Sequence, residues 1–146
     1  MSDIIANIDP RDLEELVAAV LRAMDYTAQT TAKGPDYGVD VIAHPDALGF
    51  EEPQIKVQVK HTTSAVGNQA LGRFLGTINE GEKGLYVSTG GYTTPARREV
   101  RNHSRTVTLR DRDGFIELLL EHYPDLDQEY KAMVPLKRVY VPTEEG

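Results

Sequence analysis

Two short apolar alternations carry polar side chains able to act on a phosphodiester: Gly38-Val39-Asp40-Val41-Ile42-Ala43 and Ile55-Lys56-Val57-Gln58-Val59-Lys60. Hydrolysis of that bond needs a water made nucleophilic at neutral pH and a stabiliser for the negative charge that grows on the phosphate. A bound Mg²⁺ supplies both, and a nearby lysine adds a fixed positive charge. The smallest protein kit is one or two carboxylates, another oxygen ligand and a lysine, and Asp40, Glu14, Gln58 and Lys60 provide it. Gln58 stands where a second carboxylate would be expected. Mg²⁺ accepts an amide oxygen beside one or two carboxylates and water, so the missing charge can come from Glu14.

These residues need elements to position them. Asp9-Pro10 opens a helix, Asp capping free N–H groups and Pro occupying the first turn. Leu13, Leu16, Val17, Val20, Leu21 and Met24 then form one apolar stripe. At about 100° per residue Glu14 lies roughly 90° from the stripe's centre, at the border of the buried face, and Glu15 points to water. Residues 27–31 read as an edge strand, 38–43 and 55–60 as two further strands joined by a loop rich in Pro and acidic residues. Alternation sets Asp40 and Ile42 on one face of the first, and Gln58 and Lys60 side by side, about 7 Å apart, on one face of the second. A helix over 65–78, a buried strand over 85–89, a helix from Thr93-Thr94-Pro95, a strand over 106–109 and a helix over 115–122 follow. This order predicts an α/β fold whose later strands are parallel and joined by crossovers. Residues 134–142 read as an extended segment along the body, and 143–146 as a frayed end.

At 146 residues and 40% hydrophobic, with no internal repeat or linker, the chain reads as one domain spanning 1–146. The absence of cysteine excludes disulfides and cysteine-bound zinc. No apolar run reaches the ~18 residues of a membrane span, and the expected location is cytoplasmic. A net charge of −7 argues against a general nucleic-acid coat, but a metal site needs acids, and a polyanion responds to where basic residues cluster.

Asp40 followed by Gln58-Val59-Lys60 resembles the PD-(D/E)XK nuclease pattern in its D…QxK variant. The wider chain resembles the catalytic domain of Mrr-type (type IV) restriction endonucleases. Supporting stretches are Leu13-Glu14-Glu15-Leu16-Val17, Met24-Asp25-Tyr26, Asp36-Tyr37-Gly38-Val39-Asp40, Val57-Gln58-Val59-Lys60-His61, Val87-Ser88-Thr89-Gly90-Gly91-Tyr92-Thr93 and Val107-Thr108-Leu109-Arg110-Asp111. The likeness is strongest over 13–122, leaving 123–146 as a C-terminal extension. It implies a restriction-endonuclease-like core, a central mixed β-sheet flanked by helices, and an endodeoxyribonuclease using Mg²⁺ or Mn²⁺ in the restriction of foreign or modified DNA. Asp40 then matches the metal-binding aspartate, Gln58 the substitute for the second carboxylate, Lys60 the catalytic lysine and Glu14 the helix glutamate. Two positions depart from the pattern: Asp25 stands in the family's Gly-Tyr pair, and Gly72 where relatives often carry a glutamine. Full-length relatives have a separate recognition domain, for which this length leaves no room, so the target specificity is unexplained; a homodimer or a recognition subunit is expected because one site makes one cut.

Arg97, Arg98 and Arg101, with Arg105 if the helix extends so far, fall within an arc of about 100°. They are candidate phosphate contacts, along with Lys33, Lys56, His61 and Arg73. Two other readings stay open: a nuclease-derived binding module that no longer cuts, for which Gln58, Gly72 and the acidic balance speak, and a Holliday-junction-resolvase-like nuclease.

Overall fold

The computed structural model describes residues 1–32 and 38–136. Helices α1 (Ser2–Asn7) and α2 (Pro10–Ala23) precede strands β1 (Thr27–Thr30), β2 (Val41–His44) and β3 (Ile55–Lys60). Then come α3 (Asn68–Leu75), β4 (Lys83–Ser88), α4 (Thr94–Arg101), β5 (Thr106–Arg110), α5 (Arg112–His122), a 3₁₀ turn (Tyr123–Asp125) and α6 (Gln128–Met133). The five strands lie in chain order, β1-β2-β3-β4-β5. The first three are antiparallel, and β3, β4 and β5 are parallel. Helices α3 and α4 are the crossovers and pack on one another, as two successive same-handed connections must. The α/β expectation therefore holds in its mixed form.

Two apolar clusters cover the two faces of the sheet. On one, Leu13, Leu16, Val17 and Val20 of α2 meet Val41, Ala43, Val57, Val59, Leu85 and Val87, closed by Phe115 and Leu119 of α5. On the other, Leu71 and Phe74 of α3 and Ala96 of α4 surround Tyr86. Strand β4 is covered on both faces, and five of its six residues are buried, which is why it reads as a continuous apolar run.

Asp9 accepts from the Arg11 N–H at 2.8 Å and Pro10 starts α2 as expected. Burial on α2 is wider than one stripe: every residue from Leu13 to Leu21 except Glu15 is buried, because the sheet covers one side while α5 and the 3₁₀ turn cover another. Glu15 does not end in water, since Thr30 Oγ1 donates to it at 3.0 Å. After α2 the chain reverses at Asp25 with φ 73°, a left-handed conformation that glycine adopts freely, which accounts physically for the glycine in the family pattern. Aspartate is among the side chains that tolerate it.

Helices α1 and α6 were not expected. Each has six residues, too few for a periodic stripe, and each is held by one or two buried side chains, Ile5 on α1 and Tyr130 with the following Val134 on α6. Of the extended segment expected over 134–142, residues 137–142 lie outside the described part, as does the end at 143–146. Helix α3 is shorter than 65–78, because Val66 instead forms a parallel bridge to Tyr92. Helix α4 ends at Arg101, so Arg105 is off it, and its Nε donates to the Ile78 carbonyl at 3.2 Å. No described helix is long and apolar enough to cross a membrane.

Lys56 is committed to the sheet's own support. Its ammonium donates to the Thr77 carbonyl at 2.6 Å and pairs with Glu82 at 3.0 Å, both side chains being about 15% exposed. Burial pushes the Glu82 carboxyl up, but the Asn79 N–H and Lys56 outweigh it and hold the group below its ordinary value. A carboxyl lowered by folding adds stability that is complete above the unfolded value near 4.5 and is lost as pH falls through the lowered one. Glu82→Gln should therefore cost about 1–2 kcal/mol at pH 7, measured by urea denaturation. The deficit against the parent should shrink as the pH is taken below 4.

Candidate active site

Asp40 sits one residue before β2, where the chain is stitched from both sides. Its N–H donates to the Val57 carbonyl at 2.7 Å and its Oδ2 accepts from the Val59 N–H at 2.7 Å, so the bonds bracket Gln58. The carboxylate replaces a backbone acceptor in the ladder, which is why regular β2 starts only at Val41. On the other side Thr31 donates its N–H to the Asp40 carbonyl at 2.9 Å and its Oγ1 to the Val39 carbonyl at 2.7 Å. Asp40 is thus fixed by backbone geometry and by its own side chain.

Gln58 and Lys60 leave β3 on the face of α3 and line a cleft of about 210 Å³ with Gly38, Arg73 and Tyr86. Gly38 has φ 48°, and a Cβ there would stand 3.1 Å from Gln58 Oε1. Glycine thereby meets two demands, the turn and the space for the amide. Lys60 is exposed, and no described residue pairs with its ammonium. The residues after it are held to the far end of β4: Thr89 N–H donates to the Lys60 carbonyl at 3.1 Å, Thr62 N–H to Thr89 Oγ1 at 2.8 Å and Val66 N–H to the Gly91 carbonyl at 2.9 Å.

Glu14 comes from the other side of the sheet. It is 4% exposed and pairs with Arg11 at 3.1 Å, and Arg11 also reaches Glu15 at 3.4 Å. Arg11 escaped the sequence reading, although its spacing of three and four residues from the two acids is a recognisable signal. The structure bonds Asp40 to the backbone on either side of Gln58, and Gln58 and Lys60 line one cleft; α2 lies across the sheet from Gln58, on the face of Val41 and Val57. Among the described residues no three His, Asp or Glu side chains converge on one point. Oxygen ligands from carboxylate and amide suit a hard cation such as Mg²⁺ or Mn²⁺, and Asp40 with Gln58 fits that donor class.

The peripheral candidates fall into different groups. Arg73 lines the cleft. Arg97, Arg98 and Arg101 are exposed on α4, with the Arg97 guanidinium 5.3 Å from the centre of the Tyr92 ring. Tyr92 belongs to the interior, its hydroxyl bonded to the carbonyls of Tyr86 at 2.7 Å and Arg110 at 3.0 Å. His61 is half-buried beside Lys60, with Nε2 enclosed and without a described partner. Lys33 and Tyr37 lie outside the described residues. Gly72 faces α4, since the nearest group to a Cβ there is Glu99 Oε1 at 3.8 Å, and the cleft takes Arg73 from that helix instead.

Tyr86 was not singled out from sequence. Its cross-strand partner is Gln58, and its hydroxyl is buried without a hydrogen-bond partner. Burial pushes the phenol up to about 12, the Asp40 charge adding to the shift and Arg73 opposing it. A larger cavity of about 490 Å³ lies away from this chemistry, between β1 and the loop after β2, and its described lining has neither carboxylate nor lysine.

Comparison with known proteins bears on the fold and the family. No curated protein matches the chain. Among solved structures, the fold resembles MspJI restriction endonuclease in complex with a 27-mer oligonucleotide, with TM-score 0.60 and 22% identity over 86% of this chain and 32% of that one. It also resembles the DNA modification-dependent restriction endonuclease AspBHI, with TM-score 0.67 and 20% identity over 91% of this chain and 38% of that one. The chain spans about a third of the length of either protein. The family Mrr_cat, described as restriction endonuclease, matches residues 5–119. Because that match runs from α1 into α5 and takes in Asp40, Gln58 and Lys60, the chain belongs to the Mrr family of restriction-endonuclease catalytic domains, a family of DNA endonucleases.

Proposed function

We propose that this chain is the catalytic module of a divalent-metal-dependent DNA endonuclease that restricts foreign or modified DNA. The observation that carries the reading is Asp40, pinned to the backbone on both sides of Gln58, while Gln58 and Lys60 line one cleft. Asp40 and Gln58 would hold Mg²⁺ or Mn²⁺ through hard oxygen atoms, with Glu14 of α2 as the further carboxylate. When bound, the metal supplies a water of lowered pKa and a Lewis acid for a phosphate oxygen. Lys60 offers its ammonium to the charge that develops on the phosphate, and Arg73 stands on the opposite wall. The exposed face of Arg97, Arg98 and Arg101, with His61, would hold the flanking backbone of the duplex. Since one site makes one cut, a second copy or a recognition subunit completes a double-strand break.

The test is cleavage of methylated duplex, plain duplex and four-way junction in Mg²⁺ or Mn²⁺, with EDTA as control. The parent should cut duplex DNA only with metal, and Lys60→Ala should cut at least about a hundredfold more slowly at an unchanged Tm. Preference for the junction would favour the resolvase-like reading. Neutral Gln58 favours a second reading, a module that binds without cutting, and a parent that binds duplex but leaves it intact in every metal would establish it.

A further inference from the structure

Tyr86 is fully buried, yet its hydroxyl has no partner among the described residues. A phenol removed from water without a hydrogen bond costs free energy, and buried polar groups left so are rare. The ring cannot swing away to find a partner. Phe74 and Tyr92 meet it edge-on, with ring centres 5.2 and 5.9 Å away and interplanar angles of 88° and 74°. Its position on β4 is fixed as well, opposite Gln58, so the phenol lies directly beneath the cleft that Gln58, Lys60 and Arg73 line, covered in the empty protein and reached once the exposed Arg73 or Lys60 side chain shifts onto substrate. The open end of that cleft carries a lysine and an arginine, a setting for an anion.

We propose that Tyr86 is a further catalytic residue, whose hydroxyl donates a hydrogen bond to a non-bridging oxygen of the phosphodiester held between Lys60 and Arg73. The assignment rests on the reading of the cleft as a nuclease site. It explains the orphaned group: the partner is an oxygen of the substrate, and the two flanking rings keep the donor aimed while the cleft is empty.

Tyr86→Phe removes one oxygen and leaves the ring packing intact. With no bond to lose in the free protein, the variant should melt at or above the parent's Tm. Its single-turnover cleavage of duplex DNA in saturating Mg²⁺ should fall roughly ten- to hundredfold, the usual effect of one hydrogen bond to a charged oxygen. Cleavage at the parent's rate would overturn the assignment and leave the endonuclease reading intact. A Tm lower by about 3 °C or more would also overturn it, since the hydroxyl would then have a partner within the protein. If the parent itself cuts no DNA, binding of the same duplex in Ca²⁺ decides, read by fluorescence anisotropy. Weaker binding by Tyr86→Phe, by roughly threefold or more, would establish the phosphate contact but overturn the catalytic role together with the endonuclease reading. Equal binding would remove both.

Discussion

Asp40→Asn should abolish metal-dependent cleavage, by about a thousandfold or more, while leaving the fold intact. The two effects separate because the aspartate has two jobs. Its Oδ2 accepts the Val59 N–H at 2.7 Å, and an asparagine carbonyl can do the same. Its charge is the one carboxylate charge among Asp40, Gln58 and Lys60, and asparagine removes it. With Gln58 already neutral, the cation would keep only what Glu14 offers from α2. Asp40→Ala should behave differently, costing a further 1–3 kcal/mol or so because the Val59 N–H loses its acceptor inside the sheet. Cleavage assays and thermal melts run side by side on the two variants check both statements. An asparagine variant that cuts near the parent's rate would show that the metal is not held here.

Gly90→Ala should be the most damaging small substitution outside the core. A Cβ at that position would stand 2.2 Å from the Ser64 carbonyl oxygen and 2.8 Å from its carbon, and both are backbone atoms that cannot rotate aside. The 61–66 segment would be pushed off the end of β4, breaking the bonds that run from Thr89 and Gly91 to residues 60–66. We expect a loss of about 2–4 kcal/mol by urea denaturation. We also expect a drop in cleavage rate measured well below the variant's Tm, since that segment follows directly on Lys60 at the end of β3. Gly91→Ala is the control: its φ of 77° is strained for alanine, but nothing lies within 4 Å of the added carbon, so about 1 kcal/mol should be lost with little effect on the rate.

The sequence alone revealed those parts of the site that follow from short-range rules. Gln58 and Lys60 share a face because alternation along a strand admits no other arrangement, and α2 starts at Asp9-Pro10 because capping is local. Asp40 was legible as a residue but not as a ladder acceptor, since that role depends on which neighbour β2 pairs with. Tyr86 was hidden for the same reason. Inside Leu85-Tyr86-Val87 it looks like one more buried side chain, and only the parallel register of β3 and β4 sets it opposite Gln58. Lys56 read as a phosphate contact because nothing nearby in sequence foretells Glu82 or the Thr77 carbonyl, both more than twenty residues away. The arginine on the far side of the α4 turn, Arg105, was likewise claimed by the Ile78 carbonyl.

The order of the strands, each beside its predecessor in the chain, also bears on how the protein is made. No strand has to be threaded between two that are already paired, so every new one docks on a single open edge. During synthesis β1 to β3 can pair by residue 60, joining Asp40, Gln58 and Lys60 before α3 and β4 have emerged. The half of the site carried by Asp40, Gln58 and Lys60 therefore assembles first, and Tyr86, opposite Gln58, arrives with the next strand to be added.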